Sequence, residues 1–465
     1  MLLALTLLIA QYDVVLANGR VIDPESRTDA VRWVGIRGGK IAAISPTALS
    51  GKTVLDAKGL VVAPGFIDLH AHGQSDESYR LYAMDGVTTA LELEAGTHDV
   101  PTWYSTREGK SLLNYGVSSS HLQSRARVFN DPGQFLPTAE GANSVATPEQ
   151  IALIADRVKS GLRQGGLGVG MGLQYTPGAS KWEVLEMFRV AAAAKAPVFV
   201  HTRSWGTTDP GSSVESFMEV ISAAAITGAP LHIVHLNSMS LSQTPMTLKM
   251  VEEARSHGVD VTTEAYPYSA GMTLIESALF DRFENVPDSM YQKIMWVQTG
   301  ERMTRETFQK FRKQGGGAIL FLNTPEMEAM AINSPLTAIA SDGGINEGKG
   351  HPRTSGTYAR VLGHYVREEK SLTLNEAIRK MALLPAQRLE KLAPAFRNKG
   401  RIKLGADADI AVFDPATVID KSTYQSPATP AVGFKFVLVN GVPVVRDGAI
   451  VGGIFPGRAA RAPIH

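Results

Sequence analysis

Between about residue 63 and residue 399 short apolar runs alternate with amphipathic stretches of helical length, and this pattern constrains the fold more than any other feature. The apolar runs are Gly65–His70, Thr88–Glu94, Gly116–His121, Gly168–Leu173, Pro197–His201, Leu231–His235, Ile319–Leu322 and Leu336–Asp342. Thr147–Gln164, Lys181–Lys195, Val214–Thr227 and Thr247–His257 carry apolar residues at helical spacing between them. A strand, a helix and a second strand in series give parallel strands covered by helices, so the repeated unit predicts an α/β fold. Eight such strands close into a (β/α)8 TIM-like barrel. A further run, Val261–Tyr268, is either an extra element or a barrel strand. In such a barrel, residues that do chemistry stand at the carboxyl ends of the strands.

The two ends of the chain have a different texture. Tyr12–Val15, Arg20–Ile22, Val34–Arg37, Lys40–Ile44 and Thr53–Asp56 read as short strands separated by turns such as Asn18-Gly19 and Gly38-Gly39. Ile410–Phe413, Phe434–Val439 and Val442–Arg446 repeat that texture, with Asn440-Gly441 as a hairpin turn. Residues 11–62 and 400–455 are therefore expected to build one small, discontinuous β-sandwich domain, with the barrel of 63–399 inserted into it. Met1–Ala10 are almost wholly apolar, too short to span a membrane but suited to the core of an export signal, although the usual basic start is missing. Read as the remnant of a signal peptide, they place the protein in the periplasm or outside the cell; otherwise it is cytoplasmic.

Composition narrows the chemistry. With no cysteine among 465 residues, disulfides, thiolate catalysis and cysteine-ligated metals are excluded, and any metal must use His, Asp, Glu or a modified Lys. The 46 basic residues balance 45 acidic ones, so the charge gives no reason to expect nucleic acid or a lipid surface as partner.

Several strand ends carry metal-binding side chains. His70 and His72 are two apart after an apolar strand, so their rings share a face and can reach one ion. His201 and His235 close two consecutive strands, whereas His232, an odd number of positions before His235, is expected to face away from it. Two acids in one apolar strand, Glu92 and Glu94, are costly to bury unless a cation compensates them. Glu94, nearer the strand end, is the expected ligand, with Glu92 as the alternative. Asp342 ends the last strand before Gly343-Gly344. A carboxylate beside a metal site can take the proton of the attacking water and pass it to a leaving amine.

With these residues in place the sequence resembles the amidohydrolase superfamily, and within it the N-acyl-D-amino-acid deacylase (D-aminoacylase) group. The resemblance runs from Tyr12 to about Gly448. It rests on Ala63–His72, Gly86–Thr89, Gly172–Gly178, His201–Ser204, His235-Leu236, Tyr266–Tyr268, Ser341–Gly344, His351–Arg353, Gly363–Val366, Leu384–Arg388 and Ala406–Ile410. It implies that His70 and His72 hold one metal, that His201 and His235 hold another, and that Asp342 is the catalytic acid and base. It further implies that Tyr268 polarises the scissile carbonyl and that Arg353 grips a substrate carboxylate. Two departures stand out. The group's cysteine ligand after the second strand is absent, leaving Glu94 or Glu92 to replace it, and Asn237 stands where the group tends to carry lysine beside the last histidine ligand. Asn237 thus joins Tyr268 and Arg353 as a candidate substrate-binding residue. No lysine on Gly168–Leu173 is present to form a carbamylated bridge.

The expected activity is hydrolysis of a linear amide by one or two Zn2+ ions, acting on a small amide that carries a carboxylate. A dipeptidase, a cyclic-amide hydrolase and an aromatic-amide hydrolase are alternatives on the same scaffold, and a non-catalytic scaffold protein is a further one. Assembly into a homo-oligomer is compatible with the sequence.

Overall fold

The computed structural model describes residues 11–283 and 286–465, so the expected signal-type segment Met1–Ala10 lies outside the described residues. At its centre is an eight-stranded parallel sheet: β1 (Phe66–Asp68), β2 (Val87–Thr97), β3 (Asn114–Ser120), β4 (Val169–Gly172), β5 (Val198–His201), β6 (Leu231–Ile233), β7 (Val261–Ala265) and β8 (Thr337–Ile339). Each strand pairs with its neighbours in chain order. Between β8 and β1, Asp68 Oδ1 accepts the backbone N–H groups of His70 at 3.0 Å and Ser341 at 3.1 Å, and Ala71 bridges Gly343. The result is a nearly closed (β/α)8 barrel.

One strand assignment differs from expectation, and of the two places open to Val261–Tyr268 the barrel is the one it takes. Val261–Ala265 is the seventh barrel strand; its Thr263 and Glu264 point their polar groups at partners inside the protein rather than at solvent. The Ile319–Leu322 run belongs instead to an antiparallel strand, Gly317–Leu320, paired with Gly271–Leu274 and Ile294–Trp296 in a three-stranded sheet inserted between β7 and β8. That strand is apolar because it packs in a separate core with Trp296, Phe308 and Phe280. An apolar run records burial, not what buries it.

Helices cover the barrel and start where side chains can cap them. Thr147 forms a capping box at the start of Pro148–Arg163, while Ser180 and Ser212 cap Lys181–Ala194 and Ser213–Thr227. Alternate strand residues serve the two faces: Val198 and Val200 join the core under the helices, whereas Phe199 joins Leu91, Leu93 and Val234 inside the barrel. Leu389, at the end of the helix Leu384–Leu389, and Phe396, beyond it, belong to the same interior cluster.

The terminal segments meet in a discontinuous nine-stranded sheet. Val61–Pro64 is its seam, pairing in parallel with Tyr12–Asp23 and antiparallel with Ile410–Phe413. Tyr12–Asp23 is one strand rather than two, bulged between Leu16 and Gly19. A side chain on Gly19 would meet Val62 and Ala57 at under 3 Å, so glycine permits the sheet to close there. Among the described residues no helix is long and apolar enough to cross a membrane.

Candidate metal centre and active site

The mouth of the barrel gathers histidines and carboxylates from strand ends that lie far apart in sequence. His70 Nε2 is 3.1 Å from His72 Nε2, 3.2 Å from Glu94 Oε2 and 3.4 Å from Asp342 Oδ1. His72 Nε2 lies 3.2 Å from the same Glu94 oxygen and 3.3 Å from the same Asp342 oxygen. Four ligands arranged tetrahedrally at about 2.0 Å from an ion stand about 3.3 Å from one another. These atoms therefore outline a cage of metal-ion size. The other oxygen of Glu94, Oε1, is 2.8 Å from His201 Nδ1 and 3.2 Å from His235 Nε2. Glu94 thus faces both histidine pairs, one through each oxygen, and His70, Glu94 and His235 together could hold a cation.

The local backbone explains how these groups converge. His201 is two residues after Phe199 on β5 and shares its inward face. His235 follows the end of β6 with φ +30°, and Asp342 follows β8 with φ +51°, both in the left-handed region. Such positions are uncommon for residues with a side chain and mark places where local structure is held for a reason. The turn at His235 also overturns the expectation for His232. Strict alternation would send the two rings to opposite faces, but the chain leaves extended geometry, so both rings lie inside the barrel.

Glu92 is not part of the cage. Its Oε2 is 2.8 Å from His72 Nδ1, while Oε1 accepts the backbone N–H groups of Ala95 and Gly96. Glu264 does the same behind His70, with Oε1 2.7 Å from His70 Nδ1. Gln174 Oε1, 2.8 Å from His201 Nε2, accepts that ring's proton and leaves Nδ1 for the site. These partners fix which nitrogen of each ring faces the cage.

Four carboxylates, Glu92, Glu94, Glu264 and Asp342, surround the cage, and Arg353 pairs with one of them, Asp342. Burial alone would lower the pKa of His70, but Asp342, Glu94 and Glu264 outweigh it and raise it to about 10. Burial likewise favours neutral Glu264, yet His232 and His70 hold its carboxyl down to about 2. Asp342 is kept far below the usual carboxylate range, against the effect of burial, by Arg353 and the histidines. A pocket so rich in anions suits a bound cation.

Arg353 lies in the cavity wall with Nη2 2.8 Å from Asp342 Oδ2 and its guanidinium over the Tyr266 ring at 4.5 Å. Its Nε and Nη1 are buried without a partner. The cavity above the cage, of about 160 Å³, is otherwise largely apolar, walled by Phe135, Trp205, Met239, Leu274, Leu279 and Leu320 among others. Leu274, Leu279 and Leu320 come from the insertion between β7 and β8.

Two expected substrate contacts are not brought to the cavity. The Tyr268 hydroxyl turns away to donate to Asp420 Oδ2 at 3.2 Å. Tyr266 lines the cavity instead, its hydroxyl buried and unpartnered. Tyr-Pro-Tyr marks this region, but the sequence does not show which tyrosine points inward. Asn237 is buried behind the wall, where its side-chain N–H donates to the Tyr266 carbonyl at 3.1 Å. Tyr175, whose ring lies 4.7 Å from that of His201, and His351 also line the cavity without having been singled out for a role. Glu264 was missed as well. The burial cost that drew attention to Glu92 and Glu94 applies equally to an acid in β7, once that strand is placed in the barrel.

Comparison with known proteins agrees with this geometry. A model of the amidohydrolase family matches residues 53–124 and 126–445. The chain is 29% identical to the D-aminoacylase of Alcaligenes xylosoxydans xylosoxydans, over 95% of its own length and 96% of that protein. It superimposes with a TM-score of 0.83, at 26% identity, on an N-acyl-D-glutamate deacylase from Bordetella bronchiseptica complexed with zinc and a phosphonate mimic of the tetrahedral intermediate, covering 97% of this chain and 100% of that one. A D-aminoacylase structure described by its binuclear metal centre, with one-metal activation and second-metal attenuation, gives 0.80 at 25% identity over 96% and 99% of the two chains.

Proposed function

The chain belongs to the amidohydrolase family, and on that premise we propose that it is a zinc-dependent deacylase of N-acyl-D-amino acids whose own side chain is apolar. The observation that carries this reading is the placing of Glu94, with one oxygen toward His70 and His72 and the other toward His201 and His235. In this reading His70, His72, Glu94 and Asp342 would hold one ion, and Glu94, His201 and His235 would hold a second. The donor set of neutral imidazoles and carboxylates fits Zn2+. Glu94 stands where the related group has its cysteine ligand, and a carboxylate there would hold the metal through oxygen. The bound metal would supply Lewis acidity, polarising the amide carbonyl and easing deprotonation of the attacking water.

The protein's own groups do the rest. Asp342, kept ionised by Arg353, accepts the proton of the water and delivers it to the departing nitrogen. The free Nε and Nη1 of Arg353 offer a fork to the substrate carboxylate, so one residue aligns both the substrate and the acid. Burial pushes the Tyr266 hydroxyl up to about 12, so it stays protonated and can donate to the developing oxyanion. The D-configuration rests on the D-aminoacylase relatives. The apolar preference rests on the cavity wall, in which Arg353 is the sole Lys or Arg among the described residues, leaving no cation for a second substrate carboxylate.

A substrate panel tests this. N-acetyl-D-leucine and N-acetyl-D-phenylalanine should be hydrolysed with far higher kcat/KM than N-acetyl-D-glutamate, their L-enantiomers, simple dipeptides or hydantoins. Preference for a dipeptide or a hydantoin would reject the assignment.

A further inference from the structure

Behind the proposed metal centre lies a buried acid that neither borders the cavity nor reaches the cage. Glu264, on β7, is 1% exposed, and among the described residues its ion-pair partners are histidines alone. Its Oε1 is 2.7 Å from His70 Nδ1 and its Oε2 is 2.9 Å from His232 Nε2. His232 Nδ1 is 2.7 Å from Thr262 Oγ1, which lies 3.3 Å from Arg388 Nη1, and that nitrogen is 2.8 Å from Asp260 Oδ1. The line runs from the cage through the barrel interior to the far side.

Donor chemistry assigns the protons along it. A guanidinium only donates and an ionised carboxylate only accepts. Arg388 therefore donates to the Thr262 oxygen, the Thr262 hydroxyl donates to His232 Nδ1, and His232 Nε2–H and His70 Nδ1–H both donate to Glu264. This order ties the Nδ1 proton of His70 to Glu264 and leaves Nε2, facing His72, Glu94 and Asp342, as the nitrogen that gives up its proton to a metal ion. Burying a carboxylate with no Lys or Arg beside it is costly, and a neutral residue of the same size would fill the space more cheaply. A metal ion one imidazole away would compensate Glu264.

We propose that Glu264, backed by His232 and Thr262, is a positioning residue that holds His70 in its metal-binding tautomer and thereby sets the affinity of the His70–His72 position. The proposal rests on the reading of His70 as a metal ligand. Glutamine at 264 offers one accepting oxygen and a donating amide, so one of the two rings must reverse its proton. Where that ring is His70, Nε2 becomes protonated and is lost to the ion.

The test is chelator competition with Zn2+ on metal-stripped, full-length protein, together with the visible spectrum after Co2+ loading. Glu264→Gln should weaken Zn2+ binding at the His70–His72 position about 10–100-fold, the usual effect of losing the hydrogen-bond partner of a ligating histidine, and alter the Co2+ spectrum. Glu264→Asp, which keeps the charge, should recover part of that affinity, and His232→Leu should cause a smaller loss. If the parent protein binds no metal, the metal reading itself fails. If the parent binds metal and Glu264→Gln binds it equally well while only its metal-free Tm falls, Glu264 merely fills the barrel and this proposal is overturned. Should Glu264→Gln not fold, His232→Leu and Glu264→Asp decide, unchanged affinity in both overturning it.

Discussion

At the scale of single residues, Asp342 occupies a junction, with one oxygen toward the histidine cage and the other on Arg353. Asp342→Asn keeps an oxygen for the cage but cannot take up a proton. Its kcat should fall about 10²–10⁴-fold, with metal content near that of the parent by elemental analysis. Arg353→Lys keeps the charge and loses the fork, so KM should rise at least about tenfold for a substrate gripped through its carboxylate; steady-state kinetics on N-acetyl-D-leucine measures this. The two tyrosines of Tyr266-Pro267-Tyr268 separate cleanly. Tyr266→Phe should lower kcat/KM by about 10²–10³-fold, the cost of losing one donor to the developing oxyanion, whereas Tyr268→Phe, which loses a contact with Asp420, should leave kcat/KM within about twofold, an exchange away from the reacting atoms.

Among the elements, the last barrel strand has an unusual support. Lys380, buried in the helical stretch Arg379–Leu383, donates to the Ser334 carbonyl and, at 2.9 Å, to Thr337 Oγ1 at the start of β8. Burial lowers its pKa from 10.5 to about 7, only partly opposed by Glu376. Between those two values the unfolded chain carries a proton that the folded protein lacks, so stability rises with pH across that window. The penalty for burying the charged amine is fully present below about pH 7 and fades towards pH 10.5. Denaturant titrations of the parent and Lys380→Met at pH 6.5 and pH 9.5 should show the parent gaining on the variant by up to a few kcal/mol at the higher pH. A constant difference would mean that Lys380 titrates normally.

In the whole molecule, the sheet domain and the barrel are joined through Asp409. Its side chain accepts from Lys399 Nζ at 2.7 Å, from Asn114 Nδ2 at 3.0 Å and from the Asn440 backbone at 2.7 Å, while its carbonyl accepts from the Gly65 backbone at 2.8 Å. Asn114 begins β3, so the contact ties the carboxyl-terminal strands to the barrel. Asp409→Ala leaves Lys399 buried with only Asp407 as counter-charge, at 3.1 Å. The expected loss is about 3 kcal/mol, read as a lower Tm in both metal-free and metal-loaded protein, with kcat little changed because the cage is untouched.

Much of this protein is determined by its sequence because the relevant signals are local. Strand and helix periods, the His-x-His pair after an apolar strand, the absence of cysteine and the strand-end positions of His201, His235 and Asp342 could all be read along the chain. They led to the barrel and to the residues that the structure brings together. What the tertiary structure decided depends on contacts between distant segments. An apolar run could not reveal whether a barrel or an inserted sheet buries it, so Gly317–Leu320 fell outside the barrel and Val261–Ala265 within it. Alternation could not foresee the left-handed turn at His235 that brings its ring to the same side as His232. Nor could spacing show that Tyr266 faces the cavity while Tyr268 faces Asp420, or that Glu92 stands behind His72 while Glu94 faces both histidine pairs. Those outcomes are set by which partners each buried polar group can reach, and burial without a partner is what a folded chain can least tolerate.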